Sequence, residues 1–202
     1  MTQSWSILDI PEGEFDAYLF DCDGTLVDSM PLHYQGWLHA IREQGADFIL
    51  PEDMYYEQAG VETAKLVKLL NDRFGGHLDT DGLSDLKRDY YLSQIHTIEE
   101  LTPVADFARH VKQTHPVAVV TGGLKKIVRQ SLDSAGLLEL FELIISFEDV
   151  ENGKPAPDMF LHAAELLGVA PERCLVFEDG ELGIQGAQAA GMQTVFIPRQ
   201  LV

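Results

Sequence analysis

Short, uninterrupted apolar runs alternate along the chain with longer stretches in which apolar residues recur every three or four positions. The runs at 17–20 (AYLF), 117–120 (VAVV), 143–145 (LII), 175–177 (LVF) and 194–197 (TVFI) are short and rich in branched residues, and polar residues follow them. They predict parallel strands covered on both faces. Between them, 104–113, 126–135, 158–167 and 183–190 carry helical patterning. In the third of these, Met159, Phe160, Ala163, Ala164, Leu166 and Leu167 form one apolar stripe, which is core rather than a cofactor-binding surface. Gly168 and Gly191 follow their helices where a glycine closes a last turn. Strand and helix in alternation predict an α/β fold, a doubly wound, mainly parallel sheet with right-handed crossovers.

The interval between the first strand and the next breaks the alternation. Residues 31–44, 52–58, 62–74 and 83–96 read as helices separated by Gly45, Pro51, Gly60 and the Gly75-Gly76 pair. That is too long for a crossover, so an all-helical cap is expected at 29–99, inserted into a core of residues 1–28 and 100–202.

The charge balance adds a constraint. With 14 basic and 33 acidic residues the net charge is −19, a field that repels phosphate polymers and excludes nucleic acid as a partner. It repels a small anionic substrate as well, so such a substrate requires a metal ion or a few well-placed cations. Two cysteines, Cys22 and Cys174, fit neither a disulfide framework nor a zinc site, and imply a reducing compartment. The N-terminal stretch lacks the basic and apolar regions of a signal peptide, and no segment approaches the roughly 20 apolar residues of a membrane span. A soluble, cytoplasmic monomer that does not engage a membrane is the expectation.

In a sheet of this kind ligands bind at the carboxyl ends of the strands, and four such ends carry polar residues. The first leads into FDCDGTLVDS (20–29), which offers Asp21, Asp23, Gly24 and Thr25. The second leads into Thr121-Gly122-Gly123, the third, after a loop, to Lys154, and the fourth into Glu178-Asp179. Four carboxylates, a hydroxyl and an ammonium converging on one crevice repel one another without a cation, and all-oxygen ligation suits Mg²⁺. Neighbouring residues on a strand point to opposite faces, but where the strand ends and Gly24 lets the chain turn, Asp21 and Asp23 can reach the same substrate atom. One then attacks phosphorus while the other handles protons. Cys22 lies between two carboxylates, which disfavour a thiolate. An EF-hand calcium loop is excluded, because its glycine falls two residues later.

These four elements, in this order, resemble the haloacid dehalogenase superfamily of phosphotransferases, with a Rossmann-like core and an inserted cap. The resemblance runs from about residue 15 to residue 198. It implies Asp21 as nucleophile, Asp23 as acid/base and, through its backbone carbonyl, a metal ligand. It further implies that Thr121 and Lys154 bind the transferring phosphoryl group together with Gly24, Thr25, Gly122 and Gly123. Asp179 is implied as a ligand of Mg²⁺, with Glu178 in its first or second shell. The family's dehalogenases lack the second aspartate, so Asp23 favours phosphate chemistry. A finer likeness, to β-phosphoglucomutase and small sugar-phosphate phosphatases, rests on DSMPLHYQGW (28–37), KPAPDMFLHAAELLGV and VFEDGELGIQGAQAAGM. In that branch His33 and Trp37 occupy positions where cap residues face the substrate. The mutases carry an arginine after a cap glycine, where this chain has Thr63, and the Gly-Gly-Leu loop after Thr121 is poorer in hydroxyls. Both departures favour a phosphatase over a mutase.

Plainer readings stand beside these. Thr121 can cap the helix after it, Lys154 can be a solvated surface charge, and His33 and Trp37, which share a helix face, can be packing residues. Asp28 orders the turn into the cap. A phosphatase of small phosphomonoesters is the leading expectation, ahead of a phosphohexomutase and of a catalytically silent binding module.

Overall fold

The computed structural model describes residues 3–199 and divides into two compact units, one running up to Asp28 and from Ile98 onward, the other from Ser29 to Thr97. The first contains β1 (Ala17–Phe20), β2 (Val117–Thr121), β3 (Leu143–Ser146), β4 (Cys174–Glu178) and β5 (Gln193–Phe196). All pair in parallel, in the order β3-β2-β1-β4-β5. Phe20 pairs with both Val119 and Phe177, and Thr121 with Ser146. The register therefore brings the ends of the inner strands level, with Asp21 beside the last residues of β2 and β4.

Alternation along each strand sorts side chains to two faces. Ala17, Leu19, Ala118, Val120, Cys174 and Val176 pack with Met159, Phe160 and Ala163 of α7 (Asp158–Leu167) and Ala187 of α8 (Glu181–Ala189). On the opposite parity Phe20 stacks on Phe177 with ring centroids 4.8 Å apart, and Phe177 meets Phe107 of α5 (Thr102–Val111) at 5.0 Å. Helices thus cover both faces of the inner strands, which is why β1 and most of β2 and β4 are apolar; the edge strand β5, expected to be covered on both faces, leaves Gln193 and Phe196 exposed. After β2, α6 (Lys125–Ser134) follows.

The second unit is built from α1 (Met30–Glu43), α2 (Glu52–Glu57), α3 (Thr63–Phe74) and α4 (Thr80–Gln94) around Trp37, Ala40, Ile41, Leu50, Leu66, Leu70 and Leu83. A Cβ on Gly36 would come within 3.2 Å of the Lys87 backbone carbonyl, so this glycine sets how closely α1 and α4 approach. Among the described residues no helix is long and apolar enough to cross a membrane.

Several boundaries differ from those expected. α4 begins at Thr80 rather than 83, because Asp79 caps it by accepting the Gly82 N–H at 2.7 Å. Its first turn is polar and invisible to apolar periodicity. α5 and α8 likewise begin two residues early, and β2, β3 and β4 run on into the polar Thr121, Ser146 and Glu178, all buried. Leu166, expected in the α7 stripe, is 55% exposed, since it lies at the edge of that stripe on the last turn.

Truncating Phe177 to alanine should remove about 3–5 kcal/mol of stability through the cavity between Phe20 and Phe107. Leu166→Ala should stay within about 0.5 kcal/mol. Urea unfolding of both variants, with unchanged m-values, checks the contrast.

Candidate active site

β1 ends at the site because its ladder does. The Asp21 N–H donates to the Phe177 carbonyl at 2.9 Å, holding Asp21 against β4. Beyond it the Cys22 carbonyl accepts N–H groups from Thr25, Leu26 and Val27 at 3.3, 2.9 and 3.1 Å. Gly24, at φ 79°, donates to the Val27 carbonyl at 2.9 Å, a left-handed conformation that glycine adopts readily. This tight turn takes Asp23 toward β2: a Cβ on Gly123 would sit 3.6 Å from Asp23 Oδ2 and 3.3 Å from Thr121 Oγ1. It also brings Thr25 Oγ1 to 3.4 Å from Asp179 Oδ1. Cys22 is fully buried, and burial, followed by Asp23 and Asp21, pushes its thiol well up, so it supplies no thiolate.

Lys154 is the centre of the charge arrangement. Its Nζ donates to Asp21 Oδ1 at 2.6 Å and to Glu178 Oε1, with the Lys154 side chain only 10% exposed. The Nζ also lies 5.6 Å from the centroid of the Phe160 ring, a cation–π contact. Burial alone disfavours the ammonium, but Asp21 and Glu178 outweigh it and hold Lys154 above its ordinary value. A buried charge of this kind persists only when paired. The solvated-surface reading of Lys154 is thereby set aside. Glu178 uses its second oxygen locally, Oε2 accepting the Gly180 N–H at 2.7 Å.

The carboxylates outnumber that ammonium. Burial pushes Asp21 well above the ordinary carboxylate range, with Glu178 and Asp179 adding to the effect and Lys154 opposing it. Asp179 is pushed up to about 7 by burial and then by Glu178. Asp21, Glu178 and Asp179 each offer an oxygen, all within 4.8 Å of one another. An all-oxygen set carrying more negative charge than its protein cation neutralises fits a hard divalent ion, and such an ion lowers the cost of ionising Asp21 and Asp179.

Thr121 is buried and its Oγ1 accepts the Gly123 N–H at 3.0 Å. It makes no cap for α6, whose N-cap is Leu124 without a side-chain bond. Gly122 is exposed beside it. Asp21, Asp23, Gly24, Thr25, Thr121, Gly122, Gly123, Lys154, Glu178 and Asp179 thus all lie at the carboxyl ends of the strands in the first unit. His33 and Trp37 belong to the second. There His33 stacks on Tyr91 with centroids 4.2 Å apart, and Trp37, buried, has the Lys87 ammonium 4.9 Å from its ring. Two contributors escaped sequence reasoning. Phe160, read only as core, also lies under Lys154. Gly186 lets α8 approach closely, since a Cβ there would lie 2.9 Å from Phe160 Cε2 and 3.1 Å from the Ala156 carbonyl. The signal was a glycine inside a helical pattern, where alanine is ordinarily better.

A family model described as haloacid dehalogenase-like hydrolase matches residues 15–191. The fructose-1-phosphate phosphatase YqaB of Escherichia coli K12 is 32% identical over 181 residues, covering 90% of this chain and 95% of its own. Hexitol phosphatase A of the same organism is 31% identical, covering 90% and 82%. The crystal structure of CbbY from Rhodobacter sphaeroides in complex with phosphate superposes with a TM-score of 0.79 at 24% identity, over 89% of this chain and 84% of that one, and so shares the fold. By the family match and these relatives, the chain belongs to the haloacid dehalogenase-like hydrolases.

Proposed function

We propose that this hydrolase is a Mg²⁺-dependent phosphatase of small phosphomonoesters, sugar phosphates foremost, acting through a phosphoaspartate on Asp21. The observation that carries the reading is the buried Lys154 ammonium bonded to Asp21 inside a set of carboxylates that fits a divalent ion. The names of the fructose-1-phosphate and hexitol phosphatases support the substrate class.

Asp21 attacks phosphorus, and its oxygen–phosphorus bond forms as the ester oxygen departs. Asp23, carried by the Gly24 turn, donates its proton to that leaving alkoxide. It then takes a proton from the water that attacks the phosphoaspartate, releasing inorganic phosphate and restoring the Asp21 carboxylate. Lys154 and Thr121, with Gly122, Gly123 and Thr25, bind the phosphoryl oxygens, and Lys154 holds Asp21 oriented throughout. Asp21, Asp179 and the Asp23 carbonyl, with Glu178 alongside, would hold Mg²⁺, which would supply positive charge for the phosphoryl oxygens and for the Asp21 carboxylate. Residues 29–99 serve as a cap that selects the alcohol portion through His33; Trp37, read from the sequence as a second such residue, instead packs in the buried core of its own unit. Thr63, in place of a second phosphate clamp, favours water over another sugar as acceptor. The enzyme is proposed to work as a cytoplasmic monomer.

The first test is phosphate release from a panel of sugar phosphates with Mg²⁺ or EDTA. Turnover should vanish in EDTA, and Asp21→Asn should lower kcat by at least about 10³-fold while leaving the fold intact. Metal-independent release, or activity surviving in Asp21→Asn, would sink the reading. Isomerisation of a hexose phosphate with a bisphosphate primer would indicate a mutase instead.

A second expectation concerns pH. Asp179 binds its proton more tightly in the folded chain, at about 7 against 3.8. In EDTA this contribution to stability is therefore present below about pH 4 and lost as pH rises toward 7. Thermal unfolding from pH 5 to 8 should show that loss, of order a few kcal/mol at most. Asp179→Asn should shrink it, leaving the part that the similarly raised Asp21 contributes, and Mg²⁺ should offset it in the native chain.

A further inference from the structure

The first turn of α8 holds a glycine whose reason is neither backbone conformation nor turn geometry. Gly183 is buried within the helix Glu181–Ala189, where alanine is ordinarily preferred over glycine. An ideal Cβ at that position would lie 1.7 Å from Glu178 Oε1, 2.1 Å from Glu178 Cδ and 2.8 Å from Glu178 Cγ. The Glu178 carboxylate therefore occupies the space a side chain at residue 183 would take. Any such side chain forces the carboxylate away by more than an ångström. It cannot then keep both of its bonds, Oε1 to Lys154 Nζ and Oε2 to the Gly180 N–H.

We infer that Gly183 is a positioning residue for the reaction. By leaving that space empty it lets α8 close over the end of β4 and fixes Glu178, which in turn fixes the Lys154 ammonium against Asp21. Gly183 touches no reacting atom and acts only through Glu178. The catalytic consequence rests on the phosphatase reading; the structural coupling does not. The same helix carries Gly186 against Phe160 and the 155–156 backbone, so α8 braces both the glutamate and the loop that presents Lys154. A substitution at 183 is specific to the glutamate side of that brace.

The coupling is tested by a double-mutant cycle of Gly183→Ala and Glu178→Ala in the full chain. Three readouts are taken: thermal unfolding in EDTA, Mg²⁺ affinity by calorimetry, and kcat and KM for phosphate release. In the native background Gly183→Ala should lower Tm, weaken Mg²⁺ binding by about 10- to 100-fold, and lower kcat more than it raises KM. In the Glu178→Ala background the obstruction is gone. The same substitution should then leave Tm unchanged or raise it, and change kcat and Mg²⁺ affinity by less than about twofold. If Gly183→Ala alone gives no folded protein, recovery of folded double variant supports the inference. Failure of the double variant while Glu178→Ala folds overturns it. Equal losses in both backgrounds, or no loss in the native one, also overturn it. A cycle that holds in Tm while no form releases phosphate keeps the positioning role and defeats the phosphatase reading instead.

Discussion

The buried ammonium of Lys154, shared between Asp21 and Glu178, is the interaction on which the rest of the site depends. Moving any one of these charges out of water alone is expensive, and the mutual pairing offsets that cost only when all three are held in good geometry. That requirement fixes much of the surrounding architecture. β1 and β4 must end level, which their register ensures. The loop after β3 must return Lys154 to the centre of the sheet, and α8 must approach β4 without side chains in the way. Even then one ammonium faces several carboxylates, and burial first, with that excess adding to it, raises Asp21 and Asp179. The site therefore carries more negative charge than Lys154 neutralises, and its acidic cluster fits an added cation.

How legible this was in the sequence depends on the scale of the interaction. The strand cores at Ala17–Phe20 and 117–120 are buried on both faces, so their apolar runs announced them directly. Their polar ends did not: Thr121, Ser146 and Glu178 are ladder residues by hydrogen bonding, not by hydrophobicity. The start of α4 was similarly hidden, because Asp79 and Gln44, 35 residues apart, fix it through polar bonds. Within the site, Asp21, Asp23, Thr121 and Lys154 stood out because strand-end position and residue type coincide. That Lys154 and Glu178 converge was readable, but which carboxylates its ammonium bonds was not, since that depends on where a loop returns. Gly183 was unreadable for the opposite reason, being defined by the volume another side chain fills. Thr121 shows how a local reading fails: a threonine four residues before a helix looks like a cap, yet its hydroxyl turns back to the Gly123 N–H.

The overall charge gives these local facts their weight. At −19 the protein's field opposes any phosphorylated ligand, and several of its cations are already committed. Arg173 is tied to Asp16, Arg109 to Glu100 and Asp106, and Lys125, close in sequence to the Thr121–Gly123 turn, to Asp149. The Lys125 backbone N–H is taken as well, donating to Glu148 Oε2 at 2.7 Å. In the proposed reaction, attraction for an anion at the carboxyl ends of the strands is assigned to Lys154, to the Gly122–Gly123 turn, and to an ion that the carboxylates would hold. Of these only the ion removes the repulsion at its source, since it neutralises the groups that create it. An acidic surface and an acidic site are thus compatible with an anionic substrate, because the carboxylates that alone would repel it are the ones that fit a divalent ion, whose charge would attract it.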